Sequence, residues 1–98
     1  MNVLAIGAHP DDVEFGCSGT LIKYVTKGAN VYLLVLSEGS FGGNPGERKR
    51  EQMESARVIG AKDVFWGGYE DTRIPISKDL IDCVEHYMAK VEPDFIFV

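Results

Sequence analysis

The chain has 98 residues, 45% of them apolar and 26% charged, and a formal net charge of −5. That is room for one domain with a modest core, in an ordinary globular composition without low-complexity or repeated segments. The 15 acidic residues outnumber the 10 Lys and Arg, which form no long stripe, so the charge argues against a nucleic-acid partner.

The first apolar run covers residues 3–8. No basic segment precedes it, and it is too short for the core of a signal peptide or for a membrane span. Cys17 and Cys83 lack the spacing of a metal-binding CxxC pair. Two isolated thiols in a leaderless chain point to two free cysteines in a reducing cytoplasm. The run is continuous rather than alternating, the pattern of a strand covered on both faces. Residues 31–36 and 95–98 repeat that pattern, and 64–66 form a shorter strand.

Helices are predicted between the strands. Thr20 to Lys27 sets Leu21, Ile22 and Val25 on one face, with Gly28 where a C′ glycine belongs. Asn44-Pro45-Gly46-Glu47 has the marks of a second helix start: a capping Asn, a first-turn Pro and a Glu at the capping-box position. That helix should run to Ile59 and stop at Gly60. Its basic cluster, Arg48-Lys49-Arg50, lies among Glu47, Glu51 and Glu54 and reads as a solvated face. Ser77 can cap the third helix. Leu80, Ile81, Val84, Tyr87, Met88 and Val91 then form one apolar stripe of helical period, and Pro93 ends it. The last run, 95–98, has no turn and no polar tail after it. Residues 1–98 are therefore expected to be the amino-terminal part of a single longer domain, cut at its fourth strand. Self-association is one route to stability for so small a sheet.

Four strands alternating with three helices predict an α/β fold with a mostly parallel sheet and right-handed crossovers. In such folds ligands bind outside the carboxyl ends of the strands. The loops expected there are 9–16, 37–46 and 67–76, all glycine-bearing and polar. Ala8-His9-Pro10-Asp11-Asp12-Val13-Glu14 is the most informative segment. A neutral His nitrogen and a hard Asp oxygen together suit zinc. Pro10 fixes one backbone torsion where His9 must be aimed. His9 and Asp12, three apart around a tight turn, can converge on one ion, and Asp11 is then free to act as a base. The plainer reading is a turn His followed by an Asp pair that caps a helix.

With Phe15-Gly16-Cys17-Ser18-Gly19-Thr20-Leu21 behind it, this segment strongly resembles the first motif of the LmbE/PIG-L family of N-acetylglucosaminyl deacetylases. Later pieces resemble the family in order and spacing. They are Ser37-Glu38-Gly39, Arg48 with Glu51, Ala56 and Ile59-Gly60, and Glu70-Asp71-Thr72-Arg73. The resemblance implies a Rossmann-like three-layer fold and a zinc-dependent hydrolase that frees the amine of an N-acetylated sugar or sugar conjugate. It implies His9 and Asp12 as zinc ligands, Asp11 as general base, and Arg48 and Asp71 as substrate-binding residues. The family's third ligand and its oxyanion-holding histidine belong to motifs beyond the position of Val98.

Other residues carry two readings each. Glu14 either supports the metal loop from behind or is a solvated acid at a helix start. Glu38 either serves the site or accepts loop amides. Trp66 and Tyr69 offer a sugar platform, but a Trp ending a short strand is first a core residue. Cys17 reads as packing. Gly42 and Gly43 make either a lid or a simple linker. His86 falls nearly opposite the apolar stripe of its helix and should face water, far from the carboxyl edge. Two rival functions remain. A receiver-like module also places acids after strand one, but it needs an Asp directly after strand three, where Gly67-Gly68-Tyr69 stands. A nucleotide-binding module needs GxGxxG, which Gly7, Gly16 and Gly19 do not supply.

Overall fold

A computed structural model describes residues 1–8, 12–37, 45–69 and 78–98, those at 12–17, 45 and 48 by their backbone. Strands and helices alternate: β1 (Asn2–Gly7), α1 (Asp12–Thr26), β2 (Asn30–Ser37), α2 (Pro45–Ile59), β3 (Asp63–Tyr69), α3 (Lys78–Val91) and β4 (Phe95–Phe97). The four strands form one parallel sheet in the order β3-β2-β1-β4. The predicted α/β class and parallel pairing are what the chain adopts.

The continuous apolar runs are explained by two covered faces. Val3 and Ala5 of β1, Val31, Leu33 and Val35 of β2 and Val64 of β3 pack with Leu21 of α1 and with Ala56 and Ile59 of α2. The alternate residues Leu4, Leu34, Leu36 and Phe65 pack with Val91 of α3, backed by Leu80, Val84, Tyr87 and Met88. The third helix thus buries the stripe its sequence announced, except that Ile81 is left half-exposed. The chain steps outward from β1 to β2 to β3, then returns past β1 to β4. With one crossover hand, the reversed step must carry its helix over the opposite face. That is why α3 sits alone on one side and α1 and α2 share the other.

Several boundaries differ from expectation. Helix α1 begins at Asp12, eight residues before the expected start. Gly16 and Gly19 hid it, because they break the apolar period without breaking the helix. Strand β3 continues beyond Trp66 through Gly67 and Gly68 to Tyr69. Helices α1 and α2 are followed by Gly28 and Gly60, each at φ +89°, as the two predicted stops require.

The extension of β3 contains a bulge. Val35 faces Trp66, yet Ser37 faces Tyr69, so β3 spends one more residue than β2. Gly68 takes φ +81°. A Cβ on Gly67 would lie 2.9 Å from the Leu36 carbonyl oxygen and 3.0 Å from its Cα. Both are backbone atoms and cannot rotate away. Gly67→Ala is therefore expected to destabilise the fold by about 1–3 kcal/mol, the usual scale of overpacking. A urea midpoint equal to the wild type's would show that the strands separate freely at this point.

Candidate active site

The strand order locates the crevice. β2 lies on one side of β1 and β4 on the other, and the covering helices change face between them. This reversal is a topological switch point, where open parallel sheets bind ligands at the carboxyl ends of their strands. The strand that ends there is β1, and the segment it feeds is His9-Pro10-Asp11.

Those three residues lie outside the described ones, but both flanks are placed. On one side β1 ends at Gly7, and the Ala8 carbonyl accepts the Ser37 N–H at 2.9 Å. On the other, Asp12 opens α1. Asp12 enters as a helix-start residue, where the amide dipoles favour carboxylates. The plainer reading of this acid and the functional one are thus compatible. The side chains of Asp12, Glu14 and Cys17 are not described, so the two readings of Glu14 are not separated.

Arg48 belongs to the first turns of α2, which leads away from the carboxyl end of β2. Its helical position is one turn ahead of Gln52, which is fully buried, and in line with Ala56. Glu38, Gly42, Gly43 and Asp71 lie outside the described residues. The basic cluster is not uniformly solvated. Arg50 is exposed, but Lys49 is half-buried, its Nζ 5.2 Å from the Trp66 ring centroid. Trp66 itself packs against the α1/α2 core, and Tyr69 against the α3 core. For Trp66 the core reading holds.

His86 is exposed on α3, its ring edge-on to Tyr87, in keeping with its place off the apolar stripe. Cys83 is a free, half-buried thiol whose pKa burial pushes up, so it suits packing rather than reactivity. Among the described residues no three His, Cys, Asp or Glu side chains gather closely enough to hold a metal.

Two polar residues are buried that the sequence reading did not mark as such, Ser37 having entered it only through the Ser37-Glu38-Gly39 resemblance. Ser37 and Gln52 are both 0% exposed, and the Ser37 Oγ has no hydrogen-bond partner among the described residues. The available signal was a Ser closing an apolar strand and a Gln in the sheet-facing row of a helix.

Residues 4–98 match the family model described as PIG-L: GlcNAc-PI de-N-acetylase. The chain belongs to the PIG-L family. Among the family's proteins, diacetylchitobiose deacetylase of Thermococcus kodakarensis is 30% identical, with 98% of this chain and 39% of that protein aligned. An uncharacterized deacetylase of Escherichia coli, YaiS, is 33% identical over 93% of this chain and 50% of its own length. The structure of N,N'-diacetylchitobiose deacetylase from Pyrococcus horikoshii superposes with a TM-score of 0.95 at 31% identity. It is matched by 99% of this chain, which covers 40% of it. The chain thus spans half or less of the length of these relatives.

Proposed function

We propose that a protein built on this chain is a zinc-dependent hydrolase of the cytoplasm that removes the acetyl group from an N-acetylated sugar or sugar conjugate. The observation that carries this reading is the position of His9-Pro10-Asp11-Asp12. It joins β1 to α1 at the switch point of a parallel sheet. Relatives named for deacetylating diacetylchitobiose, and one named 1D-myo-inositol 2-acetamido-2-deoxy-alpha-D-glucopyranoside deacetylase, support N-acetylglucosamine as the substrate class.

In this reading His9 and Asp12 hold the metal. Bound zinc supplies a Lewis acid and a water that ionises near pH 7. The Asp11 carboxylate accepts the proton of the attacking water as oxygen bonds to the acetyl carbon, and returns it to the nitrogen as the C–N bond breaks. Acetate and a free amine leave. Arg48 and Asp71 hold the sugar's polar groups. A catalytic zinc takes three protein ligands. We place the third in the part of the relatives' length that this chain does not span, so that residues 1–98 are one part of a single deacetylase domain.

The test is acetate release from N-acetylglucosamine conjugates by the protein at its relatives' length. Release should stop on chelation and return with zinc. Zinc-loaded protein that frees no acetate from any N-acetyl sugar, yet accepts a phosphoryl group or retains a dinucleotide, would replace this reading with one of its rivals.

A further inference from the structure

The two edges of the sheet are unlike. β3 stands at one end of the strand order and β4 at the other, so among the described residues each has one unpaired side. The free N–H and C=O groups of an edge invite another strand, the more so beside apolar and aromatic side chains. Both strands carry such side chains. On β4, Phe95 is 46% exposed and Ile96 42%. On β3, the run Val64-Phe65-Trp66 is as apolar, yet Val64 and Phe65 are each 8% exposed and Trp66 is half-buried.

Part of the cover on β3 is charged. Successive strand residues point to opposite faces. Accordingly Phe65 packs in the α3 layer and Trp66 in the α1/α2 layer. Each ring holds a lysine from the helix on its own face. The Lys90 Nζ of α3 lies 5.0 Å from the Phe65 ring centroid, and the Lys49 Nζ of α2 lies 5.2 Å from that of Trp66. The negative face of an aromatic ring attracts an ammonium at this range. Tyr32 of β2 and Tyr87 of α3 stack on the Phe65 ring, with centroids 5.9 and 4.7 Å away, and so keep it in place. The bulge at Gly67 and Gly68 then adds local twist to the same strand.

An incoming strand would set its side chains beside Phe65 on one face and beside Trp66 on the other. It would meet an ammonium group on each. It must displace both or strip water from both, and a charge desolvated without a partner is costly. We propose that Lys49 and Lys90 are a paired guard, one on each face of the sheet, that closes the β3 edge to strand addition by a second copy of this protein. Lysines, bulges and charges on edge strands are the means by which β-sheets avoid edge-to-edge pairing. β3 is then a true end of the sheet, and contact between copies is turned away from it. The proposal goes beyond the hydrolase reading and does not depend on it.

The experiment compares the double variant Lys49→Met/Lys90→Met with Lys49→Arg/Lys90→Arg and the wild type, all at the length of the relatives. Methionine keeps an unbranched chain and a favourable contact with the ring but carries no charge. Arginine keeps both charge and ring contact. Light scattering over a range of protein concentrations reads the mass, and hydrogen exchange below the melting transition reads the amides of β3. The methionine variant is expected at least to double its mass as concentration rises, and amides of β3 that exchange freely in the wild type should become protected in the larger species. The arginine variant should keep the wild-type mass. A methionine variant that stays at the wild-type mass would overturn the guard. So would a gain of mass without new protection along β3, whether it comes from contact elsewhere or from unfolding.

Discussion

His9→Ala, made in the protein at its relatives' length, is expected to leave it almost free of zinc after dialysis, where the wild type keeps about one ion per chain. Removing a group that merely supports a metal ligand costs about 10–100-fold in affinity. Removing a ligand from a site with three should cost more. The structural case is the short tether. Ala8 is hydrogen-bonded to the end of β2, α1 begins at Asp12, and Pro10 limits the backbone between them. His86→Ala is the matched control, since that ring is exposed on α3, whose residues line the other face of the sheet. It should leave metal content unchanged. Elemental analysis of both variants, with melting curves to confirm folding, reads the outcome. Wild-type stoichiometry in His9→Ala would remove His9 from the ligand set.

The architecture was readable because its causes are local and repeated. Buried parallel strands need apolar residues on both faces, and residues 3–8 and 31–36 show them without interruption. The stripe on α3 needs only a helical period. The failures have equally local causes. The start of α1 was missed because Gly16 and Gly19 interrupt its apolar face. Gly67 and Gly68 hid the end of β3, where they build a bulge that a propensity argument counts as a turn. Lys49 was read as solvated because charge says nothing about an aromatic ring on the next strand. The candidate site was read from its motif and from the family it resembles, not from any period. Composition gives no sign that the segment sits at a switch point. That fact follows from strand order, which depends on contacts far apart in the chain. The burial of Ser37 went unread for the same reason, since a hydroxyl is notable there only once burial is known.

Asp11→Asn should separate chemistry from metal binding. The substitution keeps the shape of the side chain and its ability to accept a hydrogen bond, but the amide cannot take a proton. If Asp11 is the base that deprotonates the attacking water, kcat should fall about 10²-fold or more, the usual contribution of a positioned general base. Zinc content should stay near one per chain, because His9 and Asp12 would remain to hold the ion. Asp12→Asn is expected to behave in the opposite order, losing metal first and activity as a consequence. Placement supports the division. Asp12 is the first residue of α1, fixed by a helix that packs on the sheet, as a ligand's backbone should be. Asp11 precedes the helix in sequence, between the two proposed ligands. The pH profile supplies a further check. In the wild type, kcat/KM should fall on the acid side as the base is protonated. That limb should disappear or move in Asp11→Asn, since the titrating group is gone. Full activity in Asp11→Asn, or loss of zinc equal to that of Asp12→Asn, would mean that the two acids share the metal and that the base lies elsewhere.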